Sequence, residues 1–280
     1  MRIAVLGPEG TFSDKAYIEY ARTSDAELNP VYCSTIDDVF NTVCDVEKEC
    51  ELGIVPIENT LDGYVQRTLD LLLEKDVCVI DENRVEVQFS MIANAARTED
   101  ISRLYVQFKA NGQCRQFINS LGGVKLVTTE SNMESYYSIG KEQGFAAIVP
   151  MHIAENESGE RMIVHHVTDA KNNHTRFVIF KRGNKELSSI KSNTTGRIRI
   201  PVYVMPKGDR PGILYEILKS FNDARINLIS IMSRPTRQEL GNYNFYMEIE
   251  GEGDRLLDIA DTLAGIGKLN TVKVIGVYNE

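Results

Sequence analysis

Two short runs place side chains that could do chemistry next to one another: "PIENT" (56–60) and "NNHTRFVIF" (172–180). In the first, Glu58, Asn59 and Thr60 follow an apolar run, where the carboxyl ends of strands in open α/β sheets line ligand crevices. In the second, Thr175 offers a short donor and acceptor, and Arg176 a fixed cation, at the mouth of an apolar strand. They could hold a hydroxyl and a guanidinium in a substrate cleft; the run is equally an ordinary loop-to-strand boundary with a solvated or paired arginine. "GPEGTF" (7–12) is either a tight turn or a cradle whose backbone N–H groups and Thr11 hydroxyl face an anion. It is not GxGxxG, and no acidic residue ends a strand about twenty residues later, so dinucleotide binding is not expected. "GQC" (112–114) reads as a helix interior carrying Gln113. Near the C-terminus, "PGIL" (211–214) and "MSRP" (232–235) are turn chemistry or a small-ligand pocket at a sheet edge, shared between subunits.

The elements that must position these groups are those of a globular protein. The chain has 280 residues, 42% of them hydrophobic, enough for two domains. No apolar run approaches the ~18 residues of a membrane span, and "MRIAVLG" reads as a first strand rather than a signal peptide. A net charge of −9 without a basic block argues against a nucleic-acid surface, so an anionic ligand must be met locally. Five cysteines without a CxxC pair fit reduced thiols, and a cytoplasmic location is expected. None of the four histidines stands in a metal-ligand spacing, so no metal is expected.

Capping patterns at Thr11–Asp14 and Ser34–Asp37 open helices after the first strand. "LGIVPIEN" is a second strand, "TLDG" a turn and "YVQRTLDLLLEKD" a third helix, which predicts an α/β domain on a mostly parallel sheet. Strand and helix patterns continue from residue 79 to "TRFVIFKRG", and residues 183–196 have linker composition. The pattern then resets. "RIRIPVYV" alternates with Ile198, Ile200, Val202 and Val204 on one face, and residues 197–280 read as βαββαβ, a ferredoxin-like domain.

Taken in order, "GPEGTFS", "VPIENTLDGYVQRTLDLL", "QC", "AAI", "NNHTRF", "PGIL" and "SRP" resemble prephenate dehydratase with a C-terminal ACT regulatory domain. The resemblance implies a periplasmic-binding-protein-like catalytic domain over residues 1–182. Its second lobe would be inserted in the first, with the chain crossing near residue 80 and returning near 160. The similarity starts on the first strand, so no helical chorismate mutase segment is expected ahead of it. The reaction implied is loss of carbon dioxide and the C4 hydroxyl from prephenate, giving phenylpyruvate without a cofactor, under control of L-phenylalanine. By position, Thr175 would assist departure of the hydroxyl, with Glu58 and Asn59 as the catalytic acid and amide. Thr11, Thr60, Gln113, Arg176 and Phe177 would contact substrate, Arg176 as partner of a substrate carboxylate. Gly212, Ile213 and Leu214, with Ser233, Arg234 and Pro235, would bind phenylalanine between two ACT domains of a homodimer or homotetramer.

The chain departs from that family where Ser-His-Pro is common upstream of the glutamine; here stand Val106, Gln107 and Phe108. Phe89 replaces a histidine, Ser131, Asn132 and Met133 stand for Ser-Thr-Ala, and Met232 for a glutamate. The alternatives are a prephenate decarboxylase that does not aromatise and a non-catalytic sensor of phenylalanine or prephenate. Thr175 and the ACT segment separate the dehydratase from the decarboxylase; the replaced second-lobe residues favour the sensor, and Thr175, Asn59, Glu58 and Gln113 oppose it.

Overall fold

The computed structural model describes residues 1–48, 50–183, 196–208, 210–237 and 241–279. The linker expected over 183–196 therefore lies, but for its two end residues, outside the described residues. No helix among the described residues is long and apolar enough to cross a membrane.

The first sheet is built from β1 (Arg2–Leu6), β2 (Asn29–Cys33), β3 (Leu52–Asn59), β4 (Gly63–Tyr64) and β5 (Val77–Glu86). Between them run α1 (Phe12–Thr23), α2 (Ile36–Cys44) and α3 (Gln66–Glu74). The chain then leaves for a second sheet, made of β6 (Phe89–Ala93), β7 (Arg103–Gln107), β8 (Lys125–Thr129), β9 (Phe145–Pro150) and β10 (Met162–Val164). That sheet carries α4 (Phe108–Gln113), α5 (Arg115–Ser120), α6 (Asn132–Ser138) and α7 (Met151–Glu155). The chain returns as β11 (His174–Arg182), which inserts between β3 and β5.

Capping chemistry starts the first two helices. The Thr11 side chain accepts from the Asp14 amide, as the spacing predicts. For α2 the cap is Thr35 with the Asp38 amide, one residue later than the Ser34 pattern predicts. β2 escapes a hydropathy reading because it is an edge strand: Pro30 lies exposed in it, where a missing N–H is tolerated. The sheet is mixed rather than mostly parallel. β2, β1 and β3 run parallel, but the returning β11 is antiparallel to β3 and β5. The crossing between lobes also falls later than residue 80, since "VCVIDENRVE" is one continuous strand held against β11 as far as Glu86. Likewise β10 pairs with β6, so residues 162–164 belong to the second sheet.

The C-terminal domain contains β12 (Arg197–Pro206), α8 (Ile213–Asp223), β13 (Asn227–Pro235), β14 (Tyr243–Glu252), α9 (Leu256–Gly267), β15 (Asn270–Val274) and β16 (Tyr278–Asn279). The order β13-β14-β12-β15 is antiparallel throughout, and Ile198, Ile200, Val202 and Val204 meet α8 and α9 in one core. β12 is buried on both faces, not half-buried as its alternation predicts, because the opposite face docks on the first lobe. There Tyr203, Tyr246 and Tyr278 join the core that holds Val55, Leu69 and Val178. Burying such rings removes roughly 150–250 Å² each from water. The final strand breaks at Gly276, where a Cβ would stand 2.2 Å from the Val79 carbonyl oxygen; only glycine allows that backbone approach.

Polar anchors fix the docking on α3. Lys273 from β15 donates to the carbonyls of Leu72, Leu73 and Lys75 at 2.6–2.9 Å, placing a cation at the negative end of that helix. Arg234 and Arg237 both pair with Asp70, and the Tyr203 hydroxyl donates to the Leu69 carbonyl.

Candidate active site

β11 starts in the middle of the first sheet, so Thr175 lies directly between Asn59 of β3 and Val85 of β5. The Asn59 amide is oriented by its backbone. Its Oδ1 accepts from the amides of Leu61 and Asp62 at 3.0 and 3.1 Å, which turns Nδ2 toward β11. Nδ2 then donates to Thr175 Oγ1 and Asn173 Oδ1, both at 2.9 Å. Asn173, fully buried, donates in turn to Gln113 Oε1 at 3.1 Å. The result is a hydrogen-bonded line from the second lobe to the first, with Thr175 at its end. Thr175 Oγ1 is an acceptor in this line and its hydroxyl remains free to donate at the cleft wall. Among the described residues nothing accepts from it.

The cleft is a cavity of about 390 Å³ between the lobes. Thr175, Asn59 and Gln113 border it, with Phe12, Phe89 and Phe177 as an aromatic wall. Phe12 and Phe89 meet edge-to-face at 5.3 Å across the two lobes. The lobes also touch where His152 Nε2 donates to the Gly10 carbonyl at 3.1 Å. That contact needs a glycine: Gly10 has φ +85°, and a Cβ would lie 2.6 Å from Met133 Sδ. Burial lowers the pKa of His152, and a carbonyl only accepts, so the ring is neutral with its proton on Nε2. Beside Gln113, burial with Asp169 nearby pushes the Cys114 thiol up to about 12, which leaves it protonated and inert as a nucleophile.

The alternation of a strand sends the neighbouring residues elsewhere, and it corrects two sequence expectations, for Arg176 and Glu58. Thr175 and Phe177 face the cleft, whereas Arg176 points through the sheet to the C-terminal domain. Its guanidinium pairs with Glu248 at 2.6 Å, with Glu82 at 3.1 Å and with Glu58 at 3.1 Å. Burial opposes its charge, but the hydrogen bond and charge of Glu248 outweigh that and raise its pKa above the ordinary value. Arg176 therefore does not meet a substrate carboxylate in this cleft. Glu58, its register partner, lies on the same far side, so it stands apart from Thr175. Thr60 is committed to the strand end, where Oγ1 donates to the His174 carbonyl and accepts from its amide. A bulge between Arg176 and Phe177 skips Ile57 and brings Pro56 onto the cleft floor with Phe177.

Thr11 borders the cavity, but its hydroxyl donates to the Pro8 carbonyl and caps α1, so it offers no proton to an anion. Of the residues at the family's second-lobe polar positions, Gln107, Phe89, Ser131 and Asn132 line the cleft. Val106 is buried in the lobe's core, and Phe108 is exposed. Sequence reasoning passed over Asn173, although the Asn-Asn pair before β11 was a visible signal. It also passed over Lys109 and Asp62, which stand at the cleft mouth. In the C-terminal domain, Gly212 caps α8 with φ 88°. Ile213, Thr236 and Tyr243 border a cavity of about 300 Å³. Arg234 is turned to Asp70 of the first lobe.

Two α/β lobes closed over a polar line and an aromatic wall, with a βαββαβ domain docked behind them, define a two-lobed cleft protein. A family model for prephenate dehydratase matches residues 3–185, and one for the ACT domain matches 207–261. The bifunctional chorismate mutase/prephenate dehydratase of Aquifex aeolicus is 32% identical over 282 residues, 99% of this chain and 73% of that protein. The prephenate dehydratase of Methanocaldococcus jannaschii is 32% identical over 258 residues, 91% of this chain and 90% of its own. Among solved structures, the prephenate dehydratase of Arthrobacter aurescens in complex with L-Phe has a TM-score of 0.83 at 28% identity, covering 100% of this chain and 90% of that one. The chain belongs to the prephenate dehydratase family and carries an ACT domain after the two lobes.

Proposed function

We propose that this protein is a cofactor-independent carbon–oxygen lyase that converts prephenate to phenylpyruvate, water and carbon dioxide. The observation that carries the reading is Thr175, which borders the cleft and whose oxygen accepts from Asn59 while its hydroxyl finds no acceptor among the described residues. In the reaction the bond to the ring carboxylate breaks, its electron pair enters the ring, and the C4–O bond breaks. The departing oxygen takes up a proton and leaves as water, so one proton is consumed. Aromatisation drives the step, and the protein need only hold the anion and supply that proton. Thr175 donates toward the leaving oxygen. Asn59, Asn173 and Gln113 hold Thr175 in place, and Phe89, Phe12 and Phe177 form an apolar surface for the flattening ring.

The purified protein with prephenate is expected to produce phenylpyruvate, followed by its ultraviolet enolate band in alkali. Carbon dioxide without an aromatic product would identify a decarboxylase, and no turnover a sensor.

L-phenylalanine regulates the enzyme through the ACT domain, with Gly212, Ile213 and Leu214 on one side of the site and Ser233 and Pro235 on the other; Arg234, committed to Asp70, holds β13 in place rather than meeting the effector. The L-Phe complex of the Arthrobacter relative supports this, as does the cavity beside Ile213. β13 is an edge strand with exposed Ile229 and Ile231, which favours an interface between two ACT domains in a homodimer or homotetramer. The protein works in the cytoplasm. Titration with phenylalanine in a calorimeter is expected to show saturable heat; a flat trace would remove the effector from the reading.

A further inference from the structure

The proposed substrate is a dianion, and the role of the cation that meets it rests on that reading. With Arg176 turned away, the cleft needs another positive group. Among the described residues on the cavity wall, Lys109 is the one that carries positive charge, while Asp62 and Glu130 carry negative charge. We propose that Lys109 is a specificity-determining residue that leaves Asp62 to bind a carboxylate of the substrate.

Three observations place it. Lys109 and Gln113 are four residues apart on α4, so they share one face, about 6 Å apart along the axis. Gln113 is bonded into the line that ends at Thr175, so that face looks into the reacting part of the cleft. The start of α4 is fixed by Gln107, whose Oε1 accepts from the amides of Lys109 and Ala110 at 2.7 and 3.3 Å. Across the mouth, Lys109 Nζ stands 3.6 Å from Asp62 Oδ2. Asp62 belongs to the first lobe, and its backbone N–H is held by the same Asn59 that bonds Thr175.

The Lys109–Asp62 pair is thus a bridge between the lobes at the cleft entrance. Its side chains are 70% and 47% exposed, and ion pairs so open to water contribute little. A carboxylate entering the cleft can therefore take the ammonium from Asp62 at small cost. With the cleft empty, Asp62 keeps Lys109 aimed at the entrance. The guanidinium that the motif offers cannot exchange in this way, being buried among three carboxylates.

The test is steady-state kinetics with prephenate on Lys109→Gln, Lys109→Arg and Asp62→Asn, beside calorimetric binding of prephenate. Loss of a charge-assisted bond predicts that K109Q raises KM and Kd about tenfold or more, with kcat within about threefold. K109R should recover most of the affinity. D62N should lower KM, because the competing carboxylate is gone. The unaltered protein should bind more weakly as salt is added, and K109Q should show a flatter salt dependence. Unchanged KM and Kd in K109Q, or equal losses in K109Q and K109R, would overturn the assignment. Should the unaltered protein bind prephenate without making phenylpyruvate, the dehydratase reading fails while Lys109 is still judged by the Kd ratio. Absence of any prephenate binding overturns both.

Discussion

Thr175→Val is expected to lower kcat by about 10²–10³-fold, while the Kd for prephenate changes by less than about threefold. The substitution keeps the shape of the side chain and removes only the hydroxyl. A positioned acid contributes typically 10²–10⁴-fold, and aromatisation places this case in the lower part of that range. The fold should survive. Asn59 Nδ2 loses one partner but keeps Asn173 at 2.9 Å and the His174 carbonyl at 3.2 Å, so the cost is about 1 kcal/mol. Thr175→Ser, which restores a hydroxyl at the same Cβ, should recover much of the rate. Single-turnover formation of phenylpyruvate separates the chemical step from binding and release. If T175V matches the unaltered protein in that assay, Thr175 has no part in the chemistry.

The same alternation that makes Thr175 legible also explains what the sequence hid. The runs "EN" and "TRF" look like contiguous sites, yet both lie on extended strands, where adjacent side chains face opposite ways. Applied to β11, period two pairs Thr175 with Phe177 on the cleft face and sends Arg176 to the other. Applied to β3, it keeps Asn59 and removes Glu58. What the sequence alone could not give was the occupant of that far face. β12 carries the apolar alternation of a one-sided strand, and only docking shows why Arg199 and Tyr203 between its core residues are buried too. Lys109 was hidden for a different reason: its role depends on a helix start set by Gln107 and on a loop from the other lobe, which no local pattern encodes. The ferredoxin-like domain was readable because its strands and helices follow one another with short turns and pair mostly within the segment. β2 was not, because an edge strand with an exposed proline has no apolar run to reveal it.

Arg176→Met alone is expected to destabilise the protein by about 3–5 kcal/mol, the usual cost of leaving a buried charge without its partner. Glu248 is almost wholly buried and accepts only from Arg176 and Tyr246 among the described residues, so it has no water to fall back on. For a chain of this size the loss corresponds to a thermal midpoint lower by on the order of 10 °C. Glu248→Met alone should cost a similar amount, because among the described residues the guanidinium then keeps Glu82, the part-exposed Glu58 and a long bond to the Tyr64 hydroxyl. The double replacement should recover most of the loss, since a buried pair exchanged for apolar side chains of similar volume is often neutral. A thermal melt of the three variants gives the coupling between the two residues directly. The double variant also isolates the function of the contact. β14 of the ACT domain and β11 of the cleft are tied by this pair, and the neighbour of Arg176 on β11 is Thr175. A stable double variant should therefore turn over prephenate but respond less to phenylalanine. Midpoints within about 2 °C of the original in both single variants would show that the pair does not hold the domains together. A full phenylalanine response in the stable double variant would route the signal instead through α3, where Lys273 and Arg234 grip the first lobe.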